Sequence, residues 1–287
     1  MVHLIDASPY IFRAYFALRE PIRDPAGRDV SAIYGFLGFL VRFLREQEPT
    51  HLALGFDKSL TTSFRNEIYP AYKAQRPLPP PDLVAQLEDC ERVATAMGVR
   101  VFQDIRYEAD DFLATLAAQL NAPCTVVSND KDLAQLVSER VTWFDFAKDL
   151  RYDIDGVVAK FGVRPDQIPD FLGLAGDSVD NIPGVKGVGQ KTAVALLNHF
   201  GTLEALYERL EEVPGLAIRG AKSVRDKLAR DKDNAFLSKT LATAATDAPA
   251  RVTLDDLRWD GAVREKLDPL LDTLGFGRIR DRIARWQ

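Results

Sequence analysis

Acidic side chains gather in a few short stretches of this chain, and their types and spacing suit one chemistry. Asp177 and Asp180 stand three residues apart in GDSVDN. Asp130 and Asp132 flank one lysine, Glu108, Asp110 and Asp111 cluster in EADD, and Asp6 and Asp57 each close a short apolar run. Hard oxygen ligands without histidine or cysteine favour magnesium or manganese. Nine such anions would repel one another unless cations sat among them. Two divalent ions about 4 Å apart are the arrangement that serves phosphoryl displacement. His3, His51 and His199 form no cluster, which argues against a zinc-type site. Cys90 and Cys124 are far apart and read as free thiols of a reducing cytosol.

Four residues after Asp180 begins GVKGVGQKT, from Gly184 to Thr192. It approaches a nucleotide-binding P-loop, but Gln190 intrudes between Gly189 and Lys191 and no apolar strand precedes it. Gly184, Gly187 and Gly189 suit instead a tight turn between two helices. Backbone N–H groups there, with Lys186, Lys191 and Thr192 beside them, could meet a phosphate at the next helix start. A plain interhelical turn would use the same glycines; the neighbouring acids favour a grip on a DNA backbone.

A third stretch, TTSFRNEIYPAYKAQRPLPPPD, mixes Arg65, Lys73 and Arg76 with Phe64, Tyr69 and Tyr72, and Pro77 to Pro81 stop any helix at its end. On a short helix Lys73 and Arg76 would share a face, with Tyr72 one turn before Arg76. It reads as a surface excursion or as an arch, about residues 58–95, that touches a strand by base stacking and phosphate contacts.

These residues need a frame. VHLID, HLALGFD and CTVVSND each end in an aspartate, and helical patterns lie between them at Ser31 to Glu46, Asp82 to Met97 and Asp110 to Leu120. Such alternation predicts an α/β domain with a parallel sheet, whose ligand crevice lies at the carboxyl ends of the strands. One aspartate after a strand is as often a turn residue; three at one edge argue for a site. After Phe161 only helices are expected: Asp166 to Leu174, Lys191 to Phe200, Leu203 to Leu210, Ala221 to Ala229, Lys232 to Ala244 and one or two near the end. The boundary falls near residue 165, giving an α/β core over 1–165 and a helical DNA-binding unit over 166–287.

The formal charge of −5 argues at first against a polyanionic partner. Setting the nine clustered acids aside from the 42 acidic residues leaves fewer acids than the 37 bases, so the remainder admits one. The N-terminus lacks the basic lead of a signal peptide. AIYGFLGFLVRFL is broken by Arg42 and falls short of the roughly 20 residues of a membrane span; it reads as a buried helix capped by Ser31.

The stretches LIDASPYIFRAYFA, GFDKSLTTSFRNEIYPAYKAQRP, YEADDFLATLA, NDKDLAQLV, GLAGDSVDNIPGVKGVGQKTA and IRGAKS resemble, in order and over nearly the whole length, the flap-endonuclease family. The nearest pattern is that of the 5′-nuclease domain of bacterial DNA polymerase I. The resemblance implies a resolvase-like (PIN-like) core with a helical arch, and a helix–hairpin–helix that grips duplex DNA, often with a bound potassium ion. It implies a magnesium- or manganese-dependent 5′-3′ exonuclease and flap endonuclease of replication and repair, acting through two ions on DNA with a 5′ flap or free 5′ end.

Carried over by position, Asp6, Asp57, Glu108, Asp110 and Asp111 would form the first metal cluster, and Asp130, Asp132, Asp177 and Asp180 the second. Arg13, Lys73 and Arg76 match catalytic basic residues at the scissile phosphate. Tyr72 matches a stacking aromatic, with Arg65 beside it, and Gly184 to Thr192 match the DNA-holding hairpin. Ser128-Asn129 departs from the family's usual Thr-Gly pair before Asp130 without removing a ligand. Because the chain ends at Gln287, a stand-alone nuclease is expected, a monomer in the bacterial cytoplasm at the nucleoid, with a separate DNA polymerase supplying its substrate. A non-catalytic junction-binding protein and a PIN-type ribonuclease are the alternatives; the latter generally lacks the hairpin unit.

Overall fold

A computed structural model describes residues 1–17, 20–59 and 61–287. Leu60, inside the expected arch, lies outside the described residues. The chain opens with β1 (Val2–Asp6), α1 (Ser8–Ala17), α2 (Ser31–Gln47), β2 (His51–Asp57), α3 (Phe64–Ile68) and α4 (Pro81–Ala96). There follow β3 (Arg100–Asp104), α5 (Ala109–Gln119), β4 (Cys124–Val127), β5 (Val141–Asp145), β6 (Leu150–Tyr152) and α6 (Ile154–Phe161). The remainder is helical: α7 (Ile168–Ala175), α8 (Gln190–Phe200), α9 (Leu203–Glu208), α10 (Ala221–Arg230), α11 (Lys232–Ala242) and α12 (Arg264–Leu274).

The chain forms two compact units, and neither is one continuous stretch. The first comprises 1–59, 78–129 and 245–287; the second comprises 60–77 and 130–244. This grouping differs from a single division near residue 165. The segment beyond 244 belongs with the sheet because its side chains are buried there: Trp259, 3 % exposed, donates its indole N–H to the Met97 carbonyl at 2.9 Å.

In the first unit the strands lie in the order β3-β2-β1-β4, all parallel. Parallel strands are covered on both faces, which explains why β1 and β4 are buried at every position. Helix α5 packs on β1 and β2, and α2 packs against α1 and α4. The interior of α2 is apolar nearly all round, with Phe36, Leu37, Leu40 and Phe43 fully buried.

Its start differs from the sequence expectation. Val30, not Ser31, precedes the helix, and no side chain of its own caps it. The Ser31 hydroxyl accepts from the Ile22 N–H at 2.9 Å, and Gln86 of α4 takes the Ala32 N–H at 2.8 Å. A helix start needs acceptors from somewhere, and a neighbouring helix supplies one. Helix α4 begins with Pro81 at its first position, where the missing N–H costs nothing.

Strand β3 was not among the expected strands. It too ends in an aspartate, but Asp104 accepts the Arg106 N–H at 2.7 Å and serves a turn. In the second unit the antiparallel pair β5–β6 was also unforeseen, although VTWF is a strand-like run. Its core joins Trp143, Phe171, Leu196, Leu197, Leu203 and Leu228 from the hairpin and the helices. Among the described residues no helix is long and apolar enough to cross a membrane.

The placement of residues 245–287 gives a direct expectation. Trp259→Ala should lower the unfolding free energy by about 3–5 kcal/mol, the usual cost of emptying a buried tryptophan site. Urea unfolding followed by circular dichroism checks this. A loss below 1 kcal/mol would show that the C-terminal segment is not built into the α/β core.

Candidate metal centres and DNA-holding hairpin

The first unit gathers the front acids through a chain of hydroxyls and amides. Asp6, at the end of β1 and 4 % exposed, accepts from the Ser8 N–H at 3.2 Å and from the Ser128 hydroxyl at 2.8 Å. The Ser8 hydroxyl accepts the Asp57 N–H at 3.3 Å, and the Asp57 carboxylate takes the Ala109 N–H at 2.8 Å. The ends of β1, β2 and β4 are thereby tied to the start of α5. Ser8 and Ser128 were not singled out from sequence as functional; each sits within two residues of an acid of the group, which was the available signal.

At the start of α5, Glu108 is buried and Asp110 half-buried. Asp111 is fully enclosed, and both of its oxygens are used by backbone donors: Glu108 N–H at 3.0 Å and Ala245 N–H at 2.8 Å. Its position is that of a brace for Glu108 rather than an open ligand. Arg13 stands exposed on α1.

The back acids lie in the second unit with the basic residues of the expected arch. Asp130 accepts the Asp132 N–H at 2.9 Å. Asp177, 8 % exposed, accepts the N–H groups of Val179 at 2.6 Å and Asp180 at 3.4 Å, and is paired with Lys131. Lys131 also lies 3.7 Å from Asp132. Asp180 is paired with Arg76, has the Lys73 ammonium at 3.8 Å, and accepts from the Tyr72 hydroxyl at 3.4 Å.

Segment 71–76 is pinned onto the 177–181 loop. The Lys73 N–H donates to the Asp180 carbonyl at 3.0 Å, Gln75 donates to the carbonyls of Ser178 and Val179, and Asn181 donates to the Ala71 carbonyl at 2.6 Å. Lys73 and Asn181 both adopt the left-handed region, at φ of 54° and 56°. For a side chain longer than glycine's that conformation persists only where surrounding bonds over-determine it.

Two expectations change here. Tyr72 is 3 % exposed and part of the second unit's core, so its ring is not presented for stacking. Arg65 is likewise 3 % exposed. It donates to the carbonyls of Leu241 at 2.8 Å and Thr243 at 2.9 Å, satisfying the C-terminal end of α11 instead of facing a polyanion.

Electrostatics separates the members of this group. Burial, followed by the charge of Asp130, pushes the Asp132 carboxyl up to about 7. Burial also raises Asp130. For Asp177 burial acts in the same sense, but Lys131 and the two backbone donors outweigh it and hold the carboxyl below its usual range. Among the described residues no three acidic or histidine side chains close into a ready metal cage. Lysine and arginine side chains lie against Asp177 and Asp180 instead. An all-oxygen donor set is the kind a hard cation takes, and a cation bound there would favour the ionised form that burial disfavours at Asp130 and Asp132.

The hairpin follows α7. Gly184 is at φ 59°, and a Cβ there would lie 2.4 Å from the Gly176 nitrogen, so no larger residue fits. Val185 and Val188 point inward, while Lys186, Gly187, Gly189 and Lys191 are exposed and Thr192 is half-buried. Several amides expected for phosphate are taken: Gly184 N–H bonds the Ser238 hydroxyl, Lys186 N–H the Asp231 carboxylate, and Val188 N–H the Val185 carbonyl. Gly189 begins α8 without a side-chain cap, which leaves the first-turn amides of Gln190 and Lys191 facing outward. Lys227 donates to the Gly187 carbonyl at 3.2 Å and ties α10 to the loop.

The raised Asp132 carboxyl has a signed consequence. Its folded value of about 7 lies above the unfolded 3.8, so its contribution to stability is full below the unfolded value and is lost as pH rises through about 7. Asp132→Asn does not titrate. In EDTA its melting temperature should therefore exceed that of wild type by a margin that widens between about pH 4 and about pH 8. Calorimetry of both proteins tests this; a margin constant with pH would contradict the assigned environment of Asp132.

Comparison with known proteins supplies the family. Residues 1–162 match the 5′-3′ exonuclease N-terminal resolvase-like domain, and residues 163–265 match the 5′-3′ exonuclease C-terminal SAM fold. DNA polymerase I of Pseudomonas aeruginosa is 41 % identical over 286 residues, covering 98 % of this chain and 31 % of that protein. DNA polymerase I of Bacillus caldotenax is 40 % identical over 288 residues, covering 98 % and 32 %. The chain thus spans about a third of the length of the curated relatives it matches.

Among solved structures, T5 5′-exonuclease with bound zinc superposes with a TM-score of 0.69 at 20 % identity, over 95 % of this chain and 99 % of that one. The catalytic core of Rad2 in complex with DNA substrate gives 0.63 at 14 %, over 98 % and 90 %. The fold is shared with both. With its resolvase-like and SAM-fold domains both matched, this chain belongs to the 5′-3′ exonuclease family of nucleases.

Proposed function

We propose that the chain is a divalent-metal-dependent 5′-nuclease that hydrolyses DNA phosphodiesters at 5′ flaps and free 5′ ends. The observation that supports this most is the second acid group itself: Asp130, Asp132, Asp177 and Asp180, gathered beside Lys73 and Arg76. An acid group and basic side chains in mutual contact suit a phosphodiester, whose oxygens need both a cation and hydrogen-bond donors as charge develops.

Asp6, Asp57, Glu108 and Asp110 would hold one ion, with Asp111 bracing Glu108, and Asp130, Asp132, Asp177 and Asp180 would hold another. Magnesium or manganese suits these donors. Bound ions supply charge to the phosphate and lower the pKa of water at neutral pH. The chain's own part is to orient. Ser8 and Ser128 fix the Asp6 carboxylate, and the pinned 71–76 segment sets Lys73 and Arg76 beside Asp180 as donors to the scissile phosphate. Arg13 is proposed as a further phosphate contact. Exposed Lys186 and Lys191, with the free first turn of α8, would hold a backbone phosphate of the duplex.

A labelled 5′-flap oligonucleotide tests the reaction. Wild type with magnesium should release the flap, and Asp130→Asn should lose most turnover; no cleavage by wild type, or undiminished cleavage by Asp130→Asn, would sink the reading. Lys191→Ala should weaken junction binding and flatten its log–log salt dependence by about one unit. Arg65→Ala should instead leave that slope unchanged while lowering the melting temperature, because its bonds are to the end of α11. A drop in slope for Arg65→Ala would return it to the DNA surface.

A further inference from the structure

A cavity of about 850 Å³ opens in the second unit between α6, α7 and the start of α8. Asp132 and Asp177 stand at one part of its wall, and Gly189 and Gln190 at another. The lining is mixed: Phe161, Ile168, Phe171 and Leu172 supply rings and aliphatic carbon, and Ser178, Asn181 and Gln190 supply polar groups. Lys131 and Lys160 supply its cationic side.

The apolar stretches of this wall are ill suited to phosphates, which lose solvation against rings and aliphatic carbon. They suit a flat uncharged body with two apolar faces. A base within a duplex has both faces covered by its neighbours and its edge taken by its partner. Only an unpaired base offers its faces to a protein, and stacking on a side-chain ring is worth about 1–3 kcal/mol.

Lys160 is the second observation. Its ammonium lies 4.9 Å from the Tyr152 ring centroid, 5.7 Å from Trp143 and 5.8 Å from Phe161, and it donates to the Tyr152 hydroxyl at 3.2 Å. Tyr152 and Trp143 are themselves stacked at 4.5 Å. The cation is thus held in place by uncharged groups, and its full charge is available to an anion beside the cavity.

We infer that this cavity is a nucleotide subsite: it seats one unpaired base of the bound DNA strand, with Lys160 on that nucleotide's phosphate. The inference rests on the nuclease reading and adds to it a structural reason for preferring frayed junctions over continuous duplex. Phe161 and Lys160 become specificity-determining residues outside the metal-holding set.

The test is equilibrium binding in EDTA, where no strand is cut, to flap junctions carrying one abasic residue at successive positions near the branch. Wild type should lose affinity on the order of tenfold at one position only. Phe161→Leu should bind intact and abasic junctions within about twofold of each other at that position. Lys160→Ala, an exposed change that leaves the core intact, should weaken binding to both and reduce the salt slope by about one unit. Equal abasic penalties at every position, identical in wild type and Phe161→Leu, would overturn the subsite while leaving the nuclease reading standing. A Lys160→Ala protein with unchanged affinity and slope would also overturn it. Absence of any junction binding by wild type would overturn both readings.

Discussion

Carboxylates brought together in a protein repel, and each loses water as the others approach. Everything in the second unit's acid group follows from that constraint. Asp177 escapes it through Lys131 and two backbone amides, and stays ionised. Asp132 has no comparable relief, so burial drives it toward neutrality. Asp180 is met by Lys73 and Arg76 from the segment pinned above it. The positive side chains are therefore part of how the acids can be held at all, as well as groups suited to meeting a substrate. A fold that stores several anions in one place must carry cations with it or take them from solution.

The sheet edge solves the same problem by different means. The Asp6 carboxylate meets the Ser128 hydroxyl and the Ser8 N–H, and the Asp57 carboxylate meets the Ala109 N–H. Neutral donors stabilise a carboxylate without competing for a cation in the way an ammonium does. Asp111, with both oxygens committed to backbone donors, shows how an acid in such a group can serve the architecture.

Much of this was legible in the sequence. The aspartates closing β1 and β2, the start of α5 and the hairpin before α8 follow from short apolar runs, helix-start chemistry and glycine spacing, all of which are local. What was not legible is non-local. Nothing near Arg65 announces that it meets the end of α11, some 176 residues further on, and nothing near Tyr72 announces that its ring is enclosed. An exposed and a buried arginine look alike in a stretch rich in aromatic residues. Residues 245–287 belong to the sheet unit through Trp259 and its neighbours, and no composition shift marks their return. Strand β3 was hidden because Asp104 spends its carboxylate on a turn.

The two enclosed residues of that stretch have a mechanical meaning. Arg65 and Tyr72 are moorings, one on the end of α11 and the other in the hydrophobic interior. Arg76 lies four residues beyond the second mooring, so with the backbone between them fully extended its Cα can stand no more than about 14 Å from that of Tyr72. Any excursion of Lys73 is shorter still. The basic side chains are on a leash whose length is written in the chain, and the volume they can patrol is small while both moorings hold.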